Sequence, residues 1–379
     1  MGRAPAPSMT TDNPPDRPRR APAVSCRPSA PRPRGRSLAW RWAIVLGAPA
    51  ALVALFAWCG GWLSSRLTAP RLVDAFEATT TAHPGFRRNH AKGICVTGHF
   101  DSNGSGALLS RASVFVRGRY PLVGRLSMPG GDPGEADAAG MVRSFALRIA
   151  LPHDADWRLA MNSVPIFAVR TPQALYEQLA ADARDPRTGR ADPARMRAFL
   201  ERHPEARAFH DYVAAHPSSS RYDNATYYGI STFRTTDEHG VRRFVRWAAV
   251  PDAPYRPIDP SAQRDPDFLS YDLMMRLADG PLRWHLVFEV AMPGDPIDDS
   301  TRQWARSPRR LRIDTGVVVI EHAQAQIDGP CRDIVFDPTI LPDGIAPSRD
   351  PLLAARSSAY RVSFDRRTQE EAAARRHAH

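Results

Sequence analysis

Tyr360 follows Arg356 by four residues in the stretch RSSAY. On a helix, residues four apart stack on one face. A guanidinium beside a phenol favours the phenolate, because its positive charge stabilises the anion. A phenolate is a hard oxygen ligand suited to ferric iron. Far upstream, RRNHAKG spans Arg87 to Gly93 and places His90 three residues after Arg87. An imidazole can take up and return a proton near neutral pH. The same stretch holds Lys92, the one lysine among 51 basic residues, the rest being arginine. No Ser/His/Asp spacing, phosphate-binding glycine loop or HExxH helix is present, and the GSG near residue 105 sits in a loop pattern.

These residues need elements to hold them. Residues 71–84, 171–183, 193–204 and 350–364 have the spacing and proline placement of helices. Residues 93–100, 112–118, 144–152, 157–169, 225–237, 242–251, 283–293 and 311–323 read as strands, rich in β-branched and aromatic residues between turn signals. Many strands with scattered helices predict an α+β fold with a large antiparallel sheet. With 379 residues, 43% of them hydrophobic, the chain can bury a sizeable core.

The two ends differ from this middle. The net charge is +11, but residues 1–41 hold nine Arg and two Asp and so supply +7 of it. The excess is a tail, which argues against a nucleic-acid partner. Its nine prolines and few large apolar residues predict disorder. Trp42 to Leu63 is uncharged and long enough to span a bilayer, with Trp near both ends. The nine arginines before it put the N-terminus in the cytoplasm and everything beyond about Arg66 outside. A cleaved signal peptide is the rival. The expected domains are therefore a cytoplasmic tail over 1–41, a transmembrane helix over 42–63 and an exported domain over 70–379. The charged residues after Arg366 read as a low-complexity end. The four cysteines (Cys26, Cys59, Cys95, Cys331) form no CxxC pair, so a structural zinc site is not expected. Cys95 and Cys331 would face an oxidising compartment, and spacing leaves their pairing open.

Taken together, five blocks resemble the haem catalase superfamily. RRNHAKG is similar to its R-x-x-H-A-K-G, and DGIAPSRDPLLAARSSAY to its P-G-I-x-x-S-x-D-x-x-L-x-x-R-x-x-x-Y. Between them VGRLSMPGG resembles V-R-F-S, VRSFALRI resembles R-G-F-A-x-[KR]-F, and WRLAMNSVPIFAV resembles W-D-L-x-x-N-x-x-P-x-F-F. All five run in family order over roughly residues 75–365. The closest resemblance is to minimal catalase-related peroxidases, because the chain lacks the length for the arms and C-terminal helices of large catalases. Four positions depart from the pattern: Asn89 replaces an apolar residue, Ser144 a Gly, Ala168 a Phe, and Asp343 a Pro.

The resemblance implies a catalase-like antiparallel β-barrel with flanking helices, and haem b as cofactor. It implies His90 as the distal acid–base group and Asn162 as the distal amide. Ser127 would orient His90, Arg87 and Arg125 would face the haem propionates, and Tyr360 would be the axial iron ligand with Arg356 as charge partner. The expected activity is reduction of hydrogen peroxide or organic peroxides by small organic donors, with weak catalase activity. The expected location is the inner membrane of a bacterium, single-pass, with the domain periplasmic or extracellular. Rivals are a true catalase on a shortened frame, a rearrangement of lipid hydroperoxides and a haem-binding protein with little turnover.

Overall fold

The computed structural model describes residues 36–59, 67–259, 261 and 265–377. The chain divides into two compact units, one holding the first helix and the other beginning at Arg66. The first helix, α1 (Arg36–Cys59), is uncharged from Trp42 to Cys59, and Trp42, Leu46 and Phe56 on it are exposed. Its length and composition suffice to cross a bilayer, and an N-terminal signal sequence has the same character. Residues 36–41, expected within the disordered tail, are helical. The rest of that tail, and residues 60–63 of the expected span, lie outside the described residues.

The second unit starts with α2 (Ala69–Glu77) and continues through β1 (Gly93–Ser102), β2 (Gly118–Ser127), β3 (Ser144–Ala150) and β4 (Asp156–Asn162). Helices α3 (Pro172–Asp182), α4 (Pro193–Arg202) and α5 (Glu205–Ala215) follow. Next come β5 (Tyr227–Tyr228), β6 (Phe233–Thr236), β7 (Arg242–Pro251), α6 (Phe268–Asp279), β8 (Leu282–Val290), β9 (Arg312–Ala325), β10 (Ile345–Pro347) and α7 (Pro351–His377). Eight strands close an antiparallel barrel in the order β7-β5-β4-β3-β2-β1-β9-β8, with β8 pairing back onto β7. Closure leaves no unpaired edge among them. Strand β6 continues alongside β7, and β10 adds to β6.

Alternation decides which side chains enter the barrel. Strand β4 buries Trp157, Leu159 and Met161, and β3 buries Phe145, Leu147 and Ile149. Inside, aromatic rings meet edge to face: Trp157 and Trp247 at 5.5 Å, Phe115 and Phe288 at 5.5 Å, Phe145 and Tyr227 at 5.2 Å between centroids. Each such ring contributes about 1.5–3 kcal/mol by burial. The intervening residues, Ser144, Ala146, Ala160 and Asn162, point out of the barrel under the helices. Helix α3 starts where Thr171 Oγ1 accepts from Ala174 N at 3.1 Å, with Pro172 in the first turn.

Several local expectations change, and the strand expected over 157–169 ends at Asn162. Residues 112–118 are not a strand: Ser113–Phe115 is a single 3-10 turn that buries Val114 and Phe115, and the strand begins at Gly118. Helices α5 and α6 appear where no element was expected. The charged end after Arg366 is not a loose tail: it completes α7, docked by Arg366 on Asp74 (2.6 Å) and Glu77 (3.0 Å), Arg88 on Glu370, and Arg332 on Glu371 (2.7 Å). Cys95 on β1 and Cys331 form a disulfide across 236 residues of sequence.

Candidate active site

The outward row of the barrel wall forms one side of a cavity of about 1220 Å³, its open mouth included. In register, Ser127 on β2 faces Ser144 on β3, which faces Asn162 on β4. The next row holds Arg125, Ala146 and Ala160. Two alanines between polar rows leave a flat, shallow floor. His90 precedes β1 and reaches the same cavity from a left-handed backbone, φ 59°. Its Nδ1 lies 3.4 Å from Ser127 Oγ. Burial, then the charges of Arg125, Arg356 and Arg87, lower its pKa to about 3, so the imidazole is neutral.

The opposite side comes from α7. Arg356, Tyr360, Ser363 and Arg367 share one face of that helix and line the cavity. Arg356 donates to Tyr360 Oη from Nη2 at 3.1 Å and from Nε at 3.3 Å. A loop after β9 adds Ile334, Val335 and Phe336. It is anchored by the disulfide at Cys331 and by Arg87, whose Nη2 donates to the carbonyls of Cys331 (3.0 Å), Arg332 (3.1 Å) and Ile334 (3.0 Å). Toward α2 and α3 the wall is apolar: Leu72, Val73, Phe76, Phe167 and Leu175. Ala168, which stands where the family pattern has a Phe, is buried with Leu72, Val73 and Ala174 in the helical core, and Phe167 takes the cavity wall.

The structure thus brings Arg87, His90, Arg125, Ser127, Asn162, Arg356 and Tyr360 to one cavity. Sequence reading missed Arg367, seven residues after Tyr360 on the same helix face; two helical turns is the signal that would have found it. Lys92 stands apart from the cavity. It pairs with Asp137 at 2.8 Å and Asp267 at 2.7 Å and donates to the carbonyls of Glu135 and Pro266. Burial opposes its charge, but the two carboxylates prevail and raise its pKa. The lone lysine braces the start of β1 against two loops.

The catalase family model matches residues 72–372, which hold every one of these positions. This chain belongs to the catalase family. A catalase-related peroxidase of Synechococcus elongatus is 33% identical over 311 residues, covering 82% of this chain and 91% of that protein. One from Mycolicibacterium paratuberculosis is 31% identical, covering 81% and 96%. Catalase of Sus scrofa is 29% identical over 72% of this chain but only 54% of its own length. A fungal catalase structure superposes with a TM-score of 0.68 at 21% identity, covering 78% of this chain and 62% of that one, which shows the shared fold.

Catalase-family proteins bind haem, and the cavity has the chemistry to hold it. Arg87, Arg125 and Arg367 converge on it, and none has a carboxylate within ion-pairing distance among the described residues. Arg367 Nε is buried without a hydrogen-bond partner. Burial lowers the pKa of Arg125 to about 10 and that of Arg87 well below its usual value. Buried guanidiniums without anions are costly. Two carboxylates carried in by a ligand would relieve them through charge-assisted bonds. The alanine floor suits a flat ring system, and the phenol oxygen of Tyr360 offers the metal a ligand.

Proposed function

We propose that this catalase-family oxidoreductase is a haem b peroxidase that reduces hydrogen peroxide or organic peroxides with small organic donors, and has weak catalase activity. The observation that carries this reading is the convergence, in one cavity, of a neutral His90 and Asn162 on one wall with Arg356 and Tyr360 on the other. In the overall reaction two donor molecules each lose one electron and one proton, and hydrogen peroxide leaves as two waters. Haem, when bound, would supply the iron at which the O–O bond is reduced; Tyr360 would hold that iron, and Arg87, Arg125 and Arg367 would hold the propionates. His90, kept neutral, takes a proton from one peroxide oxygen and returns it to the other, an acid–base step worth about 10²–10⁴-fold. Ser127 fixes the orientation of that imidazole. The Asn162 amide donates to the oxygen on which negative charge grows. Arg356 donates to the Tyr360 oxygen from two nitrogens and so fixes its direction toward the cavity. The apolar wall from Leu72 to Leu175 admits organic molecules, which favours donor oxidation over disproportionation.

Absorption spectroscopy of the purified protein tests the core claim: a ferric haem spectrum with phenolate features supports it, and a colourless protein that refuses added haem overturns it. Oxygen release from peroxide alone, compared with oxidation of a phenolic dye, tests the activity type. Rapid oxygen release with negligible dye oxidation would make the protein a true catalase on a short frame.

For topology we propose the cytoplasmic tail (1–41), the membrane anchor (42–63) and the exported domain (70–379), in the inner membrane of a bacterium. The apolar α1 and the arginines before it support this. A reporter fused after residue 379 that works only in the cytoplasm contradicts it, and a mature N-terminus near residues 60–70 would establish a cleaved signal instead.

A further inference from the structure

Two of the positions at which this chain departs from the family pattern, Asn89 and Ser144, make hydrogen bonds to the two groups of the distal wall. Asn89 precedes His90. Its Oδ1 accepts from His90 N at 3.0 Å and from Gly130 N at 2.8 Å. Ala91 N returns a bond to Gly130 O at 2.8 Å, so the His90 turn is stitched to the Gly130 loop on both sides. The stitching matters because His90 sits at φ 59°, a left-handed conformation that disfavours residues bearing a Cβ. Such a conformation persists only where the surroundings over-determine it. An apolar residue at position 89 would offer neither backbone N–H an acceptor.

Ser144 serves the other group. Its Oγ donates to Asn162 Oδ1 at 2.7 Å, directly across the β3–β4 ladder. A carboxamide carries an acceptor and a donor on opposite branches of one plane. With Oδ1 engaged by the hydroxyl, the N–H₂ end is left to the cavity that Asn162 lines. Without the hydroxyl nothing on β3 distinguishes the two ends, and the amide can turn its oxygen inward. An inward oxygen would repel a peroxide oxygen that it should donate to.

We propose that Asn89 and Ser144 are positioning residues of the distal pair: Asn89 fixes the left-handed backbone at His90, and Ser144 fixes the amide of Asn162 with its N–H₂ toward the cavity. This rests on the assignment of His90 and Asn162 under the proposed function.

The test uses the full-length, haem-loaded protein and two readouts: affinity of the ferric form for fluoride, an anion that reports distal hydrogen-bond donors, and the second-order rate with hydrogen peroxide. Haem content and melting temperature are recorded alongside. Ser144→Ala should weaken fluoride binding by about five- to tenfold, the loss of one oriented hydrogen bond, at unchanged haem content. Ser144→Thr, which keeps the hydroxyl, should restore it. In an Asn162→Ala background Ser144→Ala should have no further effect, because its partner is gone. Asn89→Leu should slow the peroxide reaction by about tenfold, Asn89→Asp should restore it by keeping the acceptor, and the Leu change should be silent in His90→Ala. Undiminished fluoride affinity in Ser144→Ala beside a weakened Asn162→Ala overturns the role of Ser144. Equal losses in Asn89→Leu with and without His90 overturn the role of Asn89. An Asn162→Ala protein that binds fluoride and reacts with peroxide normally removes Asn162 from the site itself, a different failure.

Discussion

The two walls of the cavity are held by opposite means. On the barrel side, Ser127, Ser144 and Asn162 occupy consecutive strands in one register, each fixed by ladder bonds to its neighbours. Directly paired residues in such a sheet lie about 5 Å apart at Cβ, and a slip of one residue would turn the whole row inward. On the helix side, Arg356, Tyr360 and Arg367 ride on α7, which no sheet holds. Its place is set from far off, by Arg366 on Asp74 and Glu77, Arg88 on Glu370, and a loop tied by Cys95–Cys331. On the reading proposed above, the groups that meet peroxide, His90 and Asn162, sit on the barrel side, while those that grip haem are divided between that side (Arg87, Arg125) and α7 (Tyr360, Arg367).

The contrast can be broken at its ends. Tyr360→Phe should lose haem altogether or weaken its retention by at least about 100-fold, since no other cavity-lining residue of α7 offers a phenol oxygen. Haem absorbance per protein after reconstitution measures it, and an unchanged spectrum would sink the assignment. His90→Ala should keep haem yet slow the reaction with peroxide by at least about 10²-fold in stopped flow. The haem-free protein gives an independent sign. With a folded pKa of about 3 against an ordinary 6.5, unfolded His90 binds a proton between those values that folded His90 does not. Stability should therefore fall as pH drops through that window, and His90→Gln should flatten part of the slope.

Smaller changes sharpen the contrast. Cys95→Ser with Cys331→Ser opens a closed loop of 236 residues and should cost about 2–4 kcal/mol in unfolding free energy. Haem retention should suffer with it, because the carbonyls that hold Arg87 belong to the freed loop. Retention equal to wild type would show that the loop stays put without its crosslink. Lys92→Met leaves the Asp137 carboxylate, itself 1% exposed, without its cation and should cost about 1–3 kcal/mol by denaturant titration. The ferric spectrum should be unchanged, since Lys92 does not line the cavity.

The same contrast explains what the sequence made legible. The strands carrying Cys95, Phe145, Trp157 and Trp247 announce themselves by β-branched and aromatic residues between turn signals, and RRNHAKG and RSSAY by residue type and spacing. Residues 112–118 misled because a short apolar run fits a strand or a buried turn equally well, and only packing of Val114 and Phe115 decides. Helix α6 went unread because only Phe268, Leu269 and Leu273 of its face are buried, too few for a clear period. The last turns of α7, Arg367 among them, looked like a charged end because Asp74 and Glu77, the acids that dock the neighbouring Arg366, lie nearly 300 positions away. Spacing could not pair Cys95 with Cys331 for the same reason: proximity there is a product of the fold.

Placing the site on the outside of the barrel has a consequence for how such a chain can change. Along β2, β3 and β4, residues facing the cavity alternate with residues facing the aromatic core. Arg125 and Ser127 flank Leu126; Ser144 and Ala146 flank Phe145; Ala160 and Asn162 flank Met161. A substitution scan through these strands should therefore give a striped map, with loss of folding and loss of chemistry on neighbouring codons. Parity alone would sort variants into those that starve the cell of protein and those that leave an abundant, inert one.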